Sequence, residues 1–482
     1  MNYYPELNRK DSPVPITHYQ RPGFRPVGPS PPTPPTVAPV RCIYRASNEA
    51  GYCVIGSNVY YIDSTYQLTL LGSITPDRIN PCSMIDNRDQ ILLVDGSDTG
   101  WTIDLADNTF AVFVDDSGLF QGADKVDYID TFVLWKFAGV SNLFGSTLSN
   151  TLDIDPTYFA AKTNYPDNLE TLIVNRHVLL LIGNVKSEIW YDAGNPQFPF
   201  AELPGTSIEH GTAAKYSVAS QDISTFWLGN DLQGKGMVFR QRGYQTTVIS
   251  NPAITQAIQD MQLAGTIDDA IGYTYQQGGH IFYVLTFPTG DQTWVFDDSI
   301  EDPMLAWHQR GWTDSEGIIH RDRSNCGAFL YGQFIVGDWE NGQLYALDDS
   351  QYFDRVNATD YPISFIRTFP HITSIQPRTG NPQSCDGKRV QYSGFLADIE
   401  CGNGPLDVNG NPAAIGLRWS DDRGKTYGNA VLQSSGAPGE WLTQPQWQGL
   451  GIARDRVFEI SHQIAGPAAL NGAWVFGEVL VT

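Results

Sequence analysis

One short pattern recurs along most of this sequence and limits what the chain can fold into. Between residues 42 and 361, an apolar strand is followed by a turn rich in Gly, Asn or Asp and then by a second strand that often ends in Asp. That ending occurs at Asp63, Asp104, Asp192, Asp297 and Asp348. These positions are one or two units of roughly 40 to 53 residues apart, which is the length of a β-propeller blade. We therefore predict an all-β chain with a propeller of six or seven blades over residues 42–361.

Some of these strands are followed by two adjacent Asp residues and a Ser. The three pairs are Asp115-Asp116, Asp297-Asp298 and Asp348-Asp349. Carboxylates in a turn can bind Ca²⁺, but an Asp-x-Asp-x-Asp-Gly loop does not accompany them. We interpret the pairs as solvated turns capped by their own side chains, and we predict no metal site and no cofactor.

One segment interrupts the strand pattern with signals typical of a helix. Asn251 is a favourable N-cap, Pro252 a favourable first helical residue, and Gly265 a stop signal. The apolar residues between them lie on one helical face: Ile254, Ala257, Ile258 and Met261. We predict an inserted helix near residues 252–264 that packs against a blade. A helix that binds a partner is the alternative.

The two ends of the chain differ from this repeated region. Residues 1–41 are rich in Pro, especially at 29–35, which predicts an extended arm that serves as a spacer or reaches a neighbouring subunit. Residues 362–482 alternate apolar and polar positions over longer strands, which predicts a β-sandwich domain.

The chain is acidic because it is short of basic residues. It carries 53 Asp and Glu against 30 Lys and Arg, a net charge of −23, with only 17% charged residues. Binding to duplex DNA needs clusters of Lys and Arg, so this composition excludes nucleic-acid binding through a basic surface. The sequence has neither a long apolar run nor a signal-peptide pattern, and we expect no transmembrane helix and no Sec-type export. The six Cys form no C-x-x-C pair and are expected to be buried thiols.

Residues 418–427 fit the Asp-box pattern Ser-x-Asp-x-Gly-x-Thr-aromatic, with Ser420, Asp422, Gly424 and Tyr427 at its defining positions. Asp422 can accept backbone N–H bonds, Gly424 can supply a positive φ, and Tyr427 can pack beneath the turn. Asp boxes recur in sialidase propellers, but an acidic-sugar hydrolase needs converging Arg residues with paired carboxylates or a Tyr nucleophile. This box occurs once, outside the repeated region, and we interpret it as a structural turn.

The remaining candidates for chemistry are few, and we predict no catalytic residue and no enzyme. His308 and His320 with Cys326 could approach one another as metal ligands, but aromatic and turn positions explain them more simply. Trp307, Trp312 and Trp339 look exposed and keep open a carbohydrate-binding or glycan-hydrolysing alternative. Arg454, Asp455 and Arg456 read as an alternating strand edge, either a surface ion pair or an inter-subunit contact.

The Asp-box hairpin is followed by the run Leu450-Gly451-Ile452-Ala453-Arg454-Asp455-Arg456-Val457-Phe458-Glu459. This pairing resembles the packaged-DNA stabilisation proteins of short-tailed bacteriophages, also called tail hub or nozzle proteins. The resemblance implies a structural virion protein, made in the bacterial cytoplasm and placed in the tail. It also implies a hexameric ring below the portal and its adaptor ring, which retains packaged DNA and contacts a tail needle or plug and fibres or spikes.

The acidity acquires a physical meaning beside this resemblance. A channel through which duplex DNA slides should repel phosphates, because each Lys or Arg contact would hold the DNA back. We therefore expect genomic DNA to be a passing cargo without sequence-specific binding. A monomeric scaffold that binds peptides on a propeller face is a further alternative.

Overall fold

The computed structural model describes residues 1–480 except 10, 13, 29–35, 116, 140–142, 163–164, 197, 231–233, 235, 357, 376–380, 382 and 386. The Pro-rich centre at 29–35 and Asp116 therefore lie outside the described residues. Strands make up 51% and helix 4% of the described residues, which confirms the all-β prediction. The chain divides into two compact units. The sandwich unit comprises Met1–Arg25, His308–His320 and Asp348–Thr482, and the propeller unit comprises Pro26–Trp307 and Arg321–Leu347.

Eight four-stranded sheets occur within the described residues, and seven of them are built from strands before residue 350. In chain order the first four are Val40–Arg45, Gly51–Ile55, Asn58–Ile62 and Leu68–Ser73; Ser83–Asp86, Gln90–Val94, Gly100–Asp104 and Phe110–Val112; Ala123–Ile129, Phe132–Phe137, Leu143–Thr147 and Ile154–Ala161; and Leu169–Asn175, Val178–Gly183, Ser187–Asp192 and Phe200–Glu202. The last three are Ala219–Gln221, Ser224–Asn230, Gly236–Arg242 and Gln245–Val248; Ile271–Gln277, His280–Phe287, Gln292–Asp297 and Trp307–Arg310; and Ser324–Leu330, Gln333–Asp338, Leu344–Asp348 and Gly23–Pro26.

These sheets, numbered 1 to 7 in that order, close into a ring. The first strand of each sheet contacts the first strands of the sheets before and after it, and the first strand of sheet 7 contacts that of sheet 1. The β-propeller prediction is therefore confirmed. In the described part of the chain, the ring consists of these seven sheets.

The second strand of each sheet is mostly buried because neighbouring strands and sheets cover it on both faces. In sheet 2, the four residues Ile91, Leu92, Leu93 and Val94 are each at most 1% exposed. Residues on one face pack toward sheet 1 and those on the other toward sheet 3. Burial on both faces explains why these strands read as continuous apolar runs instead of alternating ones.

The helix Pro252–Ala264 lies between the strands of sheets 5 and 6 in the chain. The Asn251 side chain accepts the N–H of Ile254 at 2.9 Å, and the Gly265 N–H donates to the Met261 carbonyl. Ile254, Ile258 and Met261 are buried against Gly236–Arg242, so the apolar face packs on the propeller. A short 3₁₀ turn, Lys215–Ser217, precedes sheet 5. Among the described residues, no helix has the length and apolar character needed to cross a bilayer.

The sandwich unit has two larger sheets, which confirms the predicted β-sandwich. The five-stranded sheet has the order Tyr3–Leu7, Ile16–Gln20, Leu470–Val479, Val390–Ile399 and Gln446–Ala453, and the four-stranded sheet has the order Phe365–Thr368, Val457–His462, Ala414–Ser420 and Val431–Ser434. Three two-stranded pairs complete the unit: Trp312–Thr313 with Ile319–His320, Phe353–Val356 with Thr359–Pro362, and Ser374–Ile375 with Gln383–Ser384. The core between the larger sheets contains Phe395, Leu417, Trp447 and Phe458.

The N-terminal segment differs from the extended arm predicted for residues 1–41. Tyr3–Leu7 and Ile16–Gln20 form a hairpin, and His18 pairs with Leu470 in the same sheet. Tyr3 belongs to the sandwich core. The Pro residues cluster beyond position 21, so they do not prevent strands before it, and the outermost strand of a sheet tolerates a Pro such as Pro5. The boundary between units also differs, because it falls after Leu347 instead of residue 361.

Candidate functional site

The Asp box forms a closed hydrogen-bonded turn after the strand Ala414–Ser420. The Ser420 hydroxyl donates to Asp422 Oδ1 at 2.6 Å and accepts the Gly424 N–H at 2.8 Å. Asp422 Oδ1 also accepts the N–H groups of Lys425 and Thr426, and its Oδ2 accepts the Thr426 hydroxyl at 2.6 Å. Gly424 has a φ of 86°, the left-handed region that favours glycine. The turn uses its own polar groups to hold its shape.

The electrostatics of the box agree with this structural reading. The hydrogen bond from Ser420, followed by that from Thr426, holds the pKa of the Asp422 carboxyl well below its usual range. Partial burial, together with the charge of Glu459, raises the pKa of Tyr427. The guanidinium of Arg418 lies 4.7 Å from the Tyr427 ring centre. A lowered pKa makes the Asp422 carboxylate a weaker base and a raised pKa makes the Tyr427 phenol a weaker acid, so both shifts favour a structural role.

Arg456 is buried, whereas the sequence suggested a position at a strand edge. It lies in the bend between Gln446–Ala453 and Val457–His462, and its guanidinium contacts both oxygens of Asp421 at 2.6 and 2.8 Å. It also donates to the Leu450 carbonyl and lies over the rings of Tyr392, Trp419 and Phe458. Arg456 therefore anchors the Asp-box turn to the sandwich and does not offer its charge to another chain.

The other two residues of that run do lie at the surface. Arg454 is exposed, and Asp455 accepts a 2.7 Å hydrogen bond from Arg423, whose side chain is also exposed. The inter-subunit contact predicted for Arg454, Asp455 and Arg456 stays a prediction, and the first two of these residues lie at the surface. Sequence reasoning missed Asp421 as a partner, although its position next to Ser420 in a hairpin was visible.

The recurring Asp residues of the propeller each close a turn. In all five, a carboxylate oxygen accepts the N–H of the residue two positions further on: Asp63 from Thr65, Asp104 from Ala106, Asp192 from Gly194, Asp297 from Ser299 and Asp348 from Ser350. These bonds are 2.8 to 3.0 Å long. Such Asx turns explain why Asp recurs with the blade period.

The residues weighed as metal ligands are not brought together. His308 and His320 belong to the sandwich unit and Cys326 to the propeller unit. His320 stacks on Trp312 with ring centres 5.8 Å apart, and the Cys326 thiol lies 3.7 Å from the Val40 carbonyl. In the part of the chain that the structure describes, no cluster of three or more His, Cys, Asp or Glu could hold a metal ion.

The three Trp residues that looked exposed are only half-exposed and are held by neighbours. Trp307 donates its indole N–H to the Ile249 carbonyl at 2.8 Å and packs on Phe296. Trp339 is covered by the guanidinium of Arg321, 4.3 Å from its ring centre. Trp312 stacks on His320, so each of the three rings packs against an aromatic or cationic neighbour.

The first strands of the propeller sheets surround a small cavity that the sequence did not indicate. Its volume is about 130 Å³, and Arg41, Asp124, Lys125, Glu170 and Lys215 contribute its charged lining. A water molecule occupies about 30 Å³ of liquid, so the cavity has room for a few waters.

Ion pairs hold the charges around this cavity. The carboxylate of Asp124 accepts from both Lys136 and Lys215 at 3.0 Å, and the fully buried Arg41 donates to the carbonyls of Asn80 and Gly56. Burial raises the pKa of the neighbouring Cys42 thiol to about 12, so it is protonated at neutral pH. Packed side chains, several of them charged, therefore fill most of the centre of the propeller.

Comparison with known proteins gives two matches in the order in which the two folds occur. The family model described as Bacteriophage P22 Gp10, beta-propeller, matches residues 36–352, and that described as Bacteriophage P22 Gp10, beta-sandwich, matches residues 386–478. None of the curated proteins compared matches the chain. Among solved structures, the WD40 β-propeller domain of Doa1 is similar with a TM-score of 0.40 and 9% identity, over 67% of this chain and 96% of that one.

The propeller match alone covers more than half of the chain, and the sandwich match adds the region that contains the Asp box. The resemblance noted from residues 418–460 is thereby confirmed. This chain belongs to the bacteriophage P22 Gp10 family of phage structural proteins.

Proposed function

We propose that this chain forms the tail hub, or nozzle, of a short-tailed bacteriophage. The observation that carries the proposal is the pair of family matches, propeller then sandwich, along one chain. Copies assemble as a ring, a hexamer, below the portal and its adaptor ring. The ring retains the packaged DNA, forms part of the channel for its ejection, and supports a needle or plug and fibres or spikes.

The size of the propeller cavity supports a DNA route outside the propeller. A cavity that holds a few waters and is plugged by Arg41, Asp124 and Lys215 cannot admit a duplex. The DNA channel therefore lies between copies of the chain and not along a propeller axis. A ring with cyclic symmetry builds such a channel from one repeated interface.

The net charge of −23 supports passage of DNA instead of binding. Carboxylates that face the channel repel phosphates, so a sliding duplex meets no site that binds its backbone. In a retardation assay with linear duplex at low salt, where electrostatic attraction is strongest, we expect no shift. Tight, salt-sensitive binding, or a ring whose lumen is basic, would contradict this part of the proposal.

The retention role is tested with genome-filled particles assembled without this protein. The DNA that stays protected from nuclease is measured with and without added purified protein. We expect particles that lack the protein to lose their DNA, and the added protein to restore retention. Full retention in its absence refutes the stabilisation role.

A further inference from the structure

One surface of the sandwich unit is almost free of charge although the molecule is strongly acidic. From residue 426 to residue 453 the single charged residue is Glu440, whereas 17% of the whole chain is charged. Most of this stretch is exposed, including all four residues of the edge strand Val431–Ser434. Val431 and Leu432 in that strand are large exposed apolar residues.

The loop after this edge strand presents two larger apolar side chains. Trp441 is 71% exposed and Leu442 is 97% exposed. Backbone hydrogen bonds nevertheless fix the loop, because the Gly402 N–H donates to the Ser435 carbonyl and the Gly439 N–H donates to the Gly402 carbonyl. The carboxylate of Glu440 is engaged within the loop, where it accepts the N–H of Ala437 at 2.8 Å. The apolar tip is therefore pre-shaped, which lowers the entropy cost of binding.

We call Val431, Leu432, Trp441 and Leu442, four exposed apolar residues of this stretch, the uncharged surface.

We propose that the uncharged surface is a contact between copies of this chain in the ring. The inference rests on the proposed ring and names the part of the sandwich unit that builds it. Every copy carries a charge of −23, so two copies repel wherever both present carboxylates. A basic partner would bind the acidic remainder of the surface, whereas a contact without carboxylates lets an identical acidic copy approach without that repulsion. Exposed Trp and Leu on a fixed scaffold are the composition expected at the centre of such a contact.

The test compares two equally drastic substitutions of exposed leucines. Leu442→Asp places a carboxylate in the uncharged surface, and the control Leu263→Asp places one on the exposed face of the helix Pro252–Ala264, where Leu263 is 86% exposed. Assembly is followed by mass in solution and by electron microscopy, both for the protein alone and after its addition to particles that lack it. Melting curves check that both variants fold.

We expect rings from the wild type and from L263D, and folded chains that do not assemble from L442D. Rings formed by L442D overturn the proposed contact while leaving the ring itself intact. A wild type that forms rings neither alone nor on particles overturns the proposed function and this inference with it.

A second measurement identifies the neighbour without relying on a loss of assembly. A photoreactive benzophenone amino acid replaces Leu442 in the full chain, and the protein is irradiated on complemented particles. We expect a crosslinked product of two copies of this chain. A product with a different tail protein, or no product from assembled rings, overturns the proposal.

Discussion

The propeller and the sandwich are both built from antiparallel sheets, but they assemble from different parts of the chain. Within each of sheets 1 to 6, all four strands are consecutive in sequence. The five-stranded sheet of the sandwich instead places Ile16–Gln20 beside Leu470–Val479. Local pairing lets each sheet form from a short segment, whereas the sandwich must bring distant segments together before it gains their contacts.

Both regions bury ion pairs, and the core of the sandwich adds two histidines. Arg323 with Asp338 in the propeller unit and Arg21 with Asp354 in the sandwich unit have side chains that are at most 2% exposed. The apolar core of the sandwich unit also borders His18 and His462, whose pKa values are lowered to about 3. Both units should therefore respond to loss of one partner of a buried ion pair, and the sandwich unit should respond to acid through its two histidines.

The largest effect should be the loss of sandwich stability in acid. Burial lowers the pKa of His462 to about 3, and burial followed by the nearby positive charge of Arg367 does the same to His18. The unfolded chain, with a histidine pKa near 6.5, binds more protons than the folded one between those values, so stability is complete above pH 6.5 and falls toward pH 3. Each histidine should cost about 1.4 kcal/mol per pH unit in that window. Denaturant unfolding at a series of pH values measures the slope.

The variant His462→Gln removes one of the two buried groups and should make that slope shallower. His177→Gln is the matched control, because the His177 side chain is 83% exposed. An unchanged slope in H462Q would show that the buried histidine does not make the sandwich acid-sensitive.

The next effect should come from the propeller ion pair. Asp338 accepts two hydrogen bonds from Arg323, at 2.8 Å each, and one from the Tyr345 hydroxyl. Asp338→Ala leaves a buried guanidinium poorly compensated and should cost about 3–5 kcal/mol. Denaturant unfolding measures the loss. The exposed pair of Arg176 and Asp222 supplies the control, since Asp222→Ala should cost less than about 1 kcal/mol. Equal losses in the two variants would remove the distinction between buried and exposed pairs.

A smaller effect is expected for Arg456 in the sandwich unit. Its partner Asp421 is half-exposed, so water can replace part of the lost interaction, and Arg456→Ala should cost about 2 kcal/mol. Arg423→Ala breaks the exposed contact with Asp455 and should cost less than about 1 kcal/mol. A larger loss in R423A than in R456A, measured by thermal unfolding, would contradict the anchoring role given to Arg456.

The smallest effect should follow from opening the Asp box. Ser420→Ala removes a buried hydroxyl that links Asp422 to the Gly424 N–H and should cost about 1 kcal/mol. The wild-type fold should persist, as judged by circular dichroism. Global unfolding of S420A would mean that the turn organises the whole sandwich instead of one hairpin.

The sequence predicted best what depends on neighbours in the chain. The Asp residues that close propeller turns, the helix cap at Asn251 and the alternating sandwich strands are local signals, and local physics produces them. The hairpin Tyr3–Leu7 with Ile16–Gln20 was missed because its place in the sheet depends on Leu470, far along the chain. Likewise, the burial of Arg456 depends on a partner, Asp421, that only the folded hairpin brings within reach. The charged residues around the central cavity of the propeller were not predicted for the same reason, because Asp124 and Lys215 come together only when the ring of sheets closes.

The central claim, that copies of this chain form a ring in the phage tail, is tested most directly by imaging tails of assembled particles at a resolution that resolves individual sheets. We expect a ring of copies below the portal and its adaptor, each with a closed propeller, and with the DNA channel between copies. Tails without such a ring, or a duplex passing along a propeller axis, would contradict it.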